Sequence, residues 1–234
     1  MSVNMNALSV DRLRPYLLGP IAEAIMRARQ SGVDVVDLSQ ANPNYSPPGY
    51  AIDAIVQATL RPGNHRYSAS TGIRSLRESI SGFYKRRLNV DIDPDRNLSM
   101  TTGTKSGLLH LLLALLRTGD TVIIPSPFYP IHEACAFLAG ASSVSFSMMG
   151  LIRDGITRLT KDSHEFFAQL DRTYLETFPR PRAMLFSFPH NPTTLTVDIS
   201  FFERLVDYAR EKELFLFHDF SYATLGDDQY SPPS

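Results

Sequence analysis

Three runs of the chain, Thr121–Ile124, Ala183–Phe188 and Leu214–Phe217, are short, rich in β-branched or aromatic residues, and apolar with hardly an interruption. They are closed by Pro125, by Pro189 and by the pair His218-Asp219. None alternates apolar with polar, as a strand with one face in water would. Strands buried on both faces belong to a mainly parallel sheet held between two layers of helices. The intervening stretches supply those helices: along 73–88, for instance, Ile73, Leu76, Ile80, Phe83 and Leu88 form one apolar stripe. The spacing predicts helices over 16–29, 51–60, 73–88, 105–117, 131–139, 163–177 and 200–210, the last opened by a Ser200–Glu203 capping box. Further strands are predicted at 35–38, 98–102 and 143–147, with a rigid proline-rich loop at 42–49 and a linker through about residue 160. The expected architecture is a three-layer α/β fold with a mainly parallel central sheet.

Composition narrows the function classes. With 23 basic and 24 acidic residues among 234, the formal net charge of -1 provides no bulk field for nucleic acid or an anionic membrane. The stretch 61–87 departs from that balance, carrying seven basic residues against Glu78 alone. It reads either as the solvated face of a helix or as a phosphate-attracting rim or subunit contact. A single cysteine, Cys135, leaves no internal disulfide and no multi-cysteine metal site, which fits a reducing cytoplasm. Residues 1–10 lack the basic-then-apolar pattern of a signal peptide, and the longest apolar block, Leu108–Leu116, is interrupted by His110 and too short to span a bilayer.

Parallel sheets place ligand sites beyond the carboxyl ends of their strands. The segments in those places are polar and specific: Gly103-Thr104-Lys105, Pro127-Phe128-Tyr129-Pro130, His190-Asn191-Pro192-Thr193, and Asp219 with Tyr222. Gly103-Thr104-Lys105 opens a helix, whose free N–H groups and positive dipole end suit an anion, although an ordinary glycine-led helix start would read the same way. Asp219, directly after an apolar strand, needs a cationic or hydrogen-bonding partner, which a structural salt bridge could also provide. The four segments are expected to converge on one edge of the sheet.

The ordered set resembles the pyridoxal-phosphate-dependent class I/II aminotransferases of fold type I, especially the subgroup with alanine and LL-diaminopimelate aminotransferases. The matching segments are His65-Arg66-Tyr67-Ser68, Gly72-Ile73 with Leu76-Arg77, Gly103-Thr104-Lys105, the turn at 127–130, Asn191-Pro192-Thr193, and His218-Asp219 with Tyr222-Ala223. The resemblance implies amino-group transfer between an amino acid and a 2-oxo acid, with pyridoxal 5'-phosphate as cofactor. It implies that Gly103, Thr104 and Lys105 hold the cofactor phosphate, Lys105 mainly through its backbone, and that Tyr129 stacks on the pyridine ring. Asp219 would pair with the ring nitrogen, while Asn191 and Tyr222 would hydrogen-bond the phenolic oxygen. Tyr67 would reach the phosphate of a neighbouring subunit, implying a homodimer with shared sites. No nucleic-acid or membrane partner is expected.

Several residues depart from the family pattern. Ala41 stands where a glycine backbone commonly meets the substrate carboxylate, Thr194 where glycine commonly follows Asn-Pro-Thr, and Tyr16 matches a substrate-facing tyrosine only weakly. The family lysine that holds the cofactor covalently and moves the proton lies beyond the aspartate in a Ser-x-x-Lys context. The lysines here are Lys85, Lys105, Lys161 and Lys212, all before Asp219 and none in that context, so no catalytic residue is assigned. The expected organisation is an N-terminal arm and start of a small domain over 1–44, and an incomplete cofactor-binding large domain over 45–234, truncated at its C-terminal side. The chain is then an inactive portion of an aminotransferase or, alternatively, a non-catalytic cofactor-binding or dimerising fragment.

Overall fold

The computed structural model describes residues 13, 18–39, 45–226 and 230–233. Helix α1 (Leu18–Gln30) and helix α2 (Gly49–Thr59) bury none of their residues, and a 3₁₀ turn, Pro62–His65, leads toward α3 (Arg74–Leu88). Next come α4 (Thr104–Leu115), β1 (Thr121–Ile123), α5 (Pro130–Leu138), β2 (Ser142–Val144), α6 (Met149–Arg153) and β3 (Arg158–Leu159). The chain continues through α7 (His164–Glu176), β4 (Ala183–Ser187), β5 (Thr196–Val197), α8 (Ile199–Glu211) and β6 (Phe215–Asp219). The main sheet runs β2-β1-β4-β6 with every pairing parallel, while β3 and β5 form a separate parallel pair.

Side chains along the central strands divide between two cores. Ile123, Met184 and Phe186 face a cluster built with Phe166, Phe167 and Leu170 of α7 and Phe201, Phe202 and Leu205 of α8. Val122, Ala183, Leu185 and Phe217 face the other way, onto Leu112 of α4 and Cys135 and Ala136 of α5. This period-two division, with both faces dry, is why the strands read as continuous apolar runs. It gives the expected three layers.

Some expectations are corrected. Residues 35–38 and 98–102 form no strand, because no neighbouring strand pairs with either among the described residues. Met100 N donates instead to the Thr71 carbonyl at 3.3 Å. The linker through 160 contains α6 and β3, and β5 was not anticipated, two residues being too short for a periodic signal. The cap of α8 is Asp198, whose Oδ1 accepts from Phe201 N at 2.9 Å, and Ser200 Oγ donates to the same oxygen at 2.7 Å, displacing the Ser200–Glu203 box. Three of the seven basic residues of 61–87 are paired: Arg77 is buried against Asp95, Arg74 bonds Glu78, and Lys85 bonds Asp91.

Candidate active site

The carboxyl ends of β1, β4 and β6 and the N-terminus of α4 border one cleft of about 710 Å³. It gathers Thr104, Lys105, Tyr129, Asn191, Asp219 and Tyr222, from four segments spread over residues 104–222. Each is delivered by a chain reversal at the same sheet edge. Gly103 is the N-cap of α4 at φ 82, a left-handed conformation suited to glycine, and it has no side chain to occupy the first-turn N–H groups. Tyr129 caps α5, with Pro130 at its first position fixing the helix entry. Tyr67 is fully exposed and does not line the cleft; Tyr16 and Ala41 lie outside the described residues.

Asp219 ends β6, one residue inside the strand rather than beyond it. Its Oδ2 lies 2.9 Å from His132 Nε2, and its Oδ1 accepts from Ser221 Oγ at 2.6 Å and from Ser221 N at 3.3 Å. Burial pushes the carboxyl up, but the hydrogen bonds from His132 and Ser221 outweigh it and hold Asp219 below the usual carboxylate range. The acid is therefore an oriented anion at neutral pH. His132, buried on the first turn of α5, was not singled out from sequence. The available signal was a lone histidine three residues after Tyr129, in a helix whose other residues are apolar apart from Glu133, which puts it on the same end of that helix as the tyrosine. The two rings pack edge to face, with centroids 5.6 Å apart.

Across the cleft, Asn191 Nδ2 donates to the Tyr222 hydroxyl oxygen at 3.4 Å, so these two groups are close enough to bind one common atom. Two further imidazoles accompany them: His190, which is buried, and His218, which is half-buried and itself lines the cleft. His190 bonds the Thr193 hydroxyl at 2.8 Å, and burial, reinforced by nearby His132, lowers it to about 4. His218 is also lowered by burial, partly offset by the Phe188 backbone and Asp219. Of the four lysines, Lys105 lines the cleft, whereas Lys85 pairs with Asp91 and Lys212 with Glu211.

A fixed carboxylate for a protonated ring nitrogen, paired donors for an anionic oxygen, a helix N-terminus for a phosphate and an aromatic face between them define a site of the kind that binds a phosphorylated pyridine. The chain belongs to the aminotransferase class I and II family, whose model matches residues 33–233. Members of that family depend on pyridoxal 5'-phosphate, and the donor set here fits that cofactor at each of its polar groups. The chain is 39% identical over 225 residues to a glutamate-pyruvate aminotransferase, AlaC, of Escherichia coli (strain K12), covering 96% of this chain and 52% of the relative. It is 31% identical over 228 residues to the LL-diaminopimelate aminotransferase of Moorella thermoacetica, covering 97% and 55%. Among solved structures, apo-BacF of Bacillus subtilis matches with a TM-score of 0.84 at 26% identity, covering 99% of this chain and 56% of that one. The maleate complex of Thermus thermophilus aspartate aminotransferase matches at 0.85 with 24% identity, covering 99% and 57%, and supports the fold alone. The chain spans about half the length of the relatives it matches.

Proposed function

We propose that this chain carries the cofactor-binding half of an aminotransferase that moves an amino group between an amino acid and a 2-oxo acid. The observation that carries the reading is Asp219, held ionised by His132 and Ser221 at the sheet edge where Asn191 and Tyr222 converge. When bound, pyridoxal phosphate supplies an electron-withdrawing ring that stabilises negative charge at the substrate α-carbon. Asp219 keeps the ring nitrogen protonated, which strengthens that withdrawal. Asn191 and Tyr222 would donate to the phenolic oxygen, and the N–H groups that follow Gly103 would hold the phosphate. Tyr129 would supply an aromatic surface for the ring.

Tyr67, exposed and remote from its own cleft, is free to serve a second subunit, which supports a homodimer with shared sites. The buried thiol of Cys135 fits a cytoplasmic setting. Residues 1–44 form an arm and the start of a small domain, and 45–234 the bulk of the cofactor domain. With no lysine in a Ser-x-x-Lys context, this chain alone binds the cofactor without turning over.

The test is to add pyridoxal phosphate to the chain, reduce with borohydride, map labelled lysines by mass spectrometry and assay transamination. Saturable cofactor binding with neither a specifically labelled lysine nor transamination is expected. Specific labelling together with transamination overturns the non-catalytic reading of the chain; failure to bind the cofactor overturns the reading of the site.

A further inference from the structure

We propose that His218 is a positioning residue that fastens the Asn191 turn to the end of β6 and so sets Asn191 opposite Tyr222. The β4–β6 ladder ends at the pair Ser187 and Asp219. Within it His218 is opposite Phe186, yet its side chain reaches two residues further along the chain, just past the end of β4: Nε2 lies 3.0 Å from the Phe188 carbonyl oxygen and 3.2 Å from Phe188 N. In one tautomer the ring donates to the carbonyl, and in the other it accepts from the N–H. Either way the imidazole stands where the next rung of the ladder would be. The rings of Phe202 and Phe220, with centroids 4.7 and 4.8 Å from that of His218, restrict its rotation. Burial disfavours the charged ring, consistent with a neutral imidazole filling that rung.

From Phe188 the chain reverses through Pro189 and His190 to Asn191. The reversal is closed on itself: His190 N donates to the Leu195 carbonyl at 2.8 Å, Thr194 N to the His190 carbonyl at 2.8 Å, and the Thr193 hydroxyl meets His190 Nδ1 at 2.8 Å. A turn so closed moves as a unit, and its position relative to β6 follows the point where it is tied. Tyr222 stands three residues beyond Asp219, on the β6 side of that tie. The separation of the Asn191 and Tyr222 donors is therefore set by His218, which lines the cleft but commits its Nε2 to the Phe188 backbone.

The proposal rests on Asn191 and Tyr222 being cofactor-binding, and two variants with two readouts separate the ideas. His218→Phe keeps a ring against Phe202 and Phe220 but removes the nitrogens, whereas His218→Gln keeps a hydrogen-bonding nitrogen without the ring. In the first readout, amide hydrogen exchange in the full chain without cofactor, segment 188–191 should exchange about tenfold faster in His218→Phe and stay near wild type in His218→Gln. In the second, the pH midpoint of the absorbance of added pyridoxal phosphate should rise by about one unit in His218→Phe, because a displaced Asn191 no longer stabilises the anionic phenolic oxygen, and hold in His218→Gln. Unchanged exchange in His218→Phe, or loss of protection in His218→Gln alone, overturns the proposal; so does an unmoved midpoint in His218→Phe when Asn191→Ala moves it. If the wild-type chain binds no cofactor, the cofactor reading fails and the exchange result alone decides whether His218 ties the turn.

Discussion

His190 places a measurable pH dependence in the stability of this fold. Its imidazole is 5% exposed, packed beside the Phe188 ring and bonded to Thr193, and its pKa falls from 6.5 to about 4. The unfolded chain keeps the ordinary value. Above it both states are neutral and His190 contributes nothing to the pH dependence. As the pH drops toward 4, the unfolded state takes up a proton that the folded state refuses, so stability falls, and the loss levels off once the folded group titrates as well. At about 1.36 kcal/mol per unit, the loss is about 2 kcal/mol at pH 5 and about 3 kcal/mol at pH 4. His218 is shifted in the same direction, so wild-type stability alone does not isolate the effect. Urea unfolding of wild type and His190→Asn at pH 7, 6, 5 and 4 does, through the difference between their unfolding free energies. The wild type should lose about 2 kcal/mol relative to the variant between pH 7 and 5. A difference that stays constant over that range refutes the argument that His190 is held neutral by its surroundings.

Removing the partner of Asp219 with His132→Ala should destabilise the chain by about 1.5–3 kcal/mol, since a hydrogen bond to a charged group is lost in a mostly buried setting. It should also raise the Asp219 pKa toward the ordinary range, as carboxyl NMR titration would reveal; an unmoved pKa would count against the pair. Asp198→Ala removes the cap of α8 and should cost about 1 kcal/mol in urea unfolding. Ser200→Ala, which leaves the Asp198–Phe201 bond in place, should cost less, and the reverse order would restore the Ser200–Glu203 box. Gly72 has φ +88, and a Cβ there would lie 2.2 Å from Met100 Cγ and 2.5 Å from its Cβ. Gly72→Ala should therefore destabilise by about 1–3 kcal/mol in thermal or urea unfolding. Met100→Ala in that background removes the Cγ contact but keeps the Cβ at 2.5 Å, so it should recover only part of the steric cost and none of the cost of the backbone conformation.

What the sequence made legible, and what it hid, divides along physical lines. β4 and β6 could be read because burial on both faces leaves a continuous apolar run, and the site segments followed because such strands deliver their ligands at one end. Asp219, Asn191 and Tyr222 were thus found before their geometry was known. The features that escaped were those whose meaning depends on a partner distant in sequence. Residues 98–102 have the composition of a strand, but a strand exists only as part of a ladder, and among the described residues none lies beside them. His132 lies 87 residues from Asp219, and His218 lies 30 from Phe188; nothing local names either partner. Composition reports how far a side chain must hide from water, whereas hydrogen-bond partnership is a property of the assembled sheet edge. That is why Asp219, Asn191 and Tyr222 could be singled out from the sequence while the hydrogen-bond partners of His132 and His218 could not. His132, His190 and His218 are each hydrogen-bonded and at least half-buried, where an unpaired polar atom is expensive, so their geometry is tightly constrained. The precision of the site accordingly resides in the buried layer behind it, and substitutions there should disturb Asn191 and Asp219 as surely as changes within the cleft.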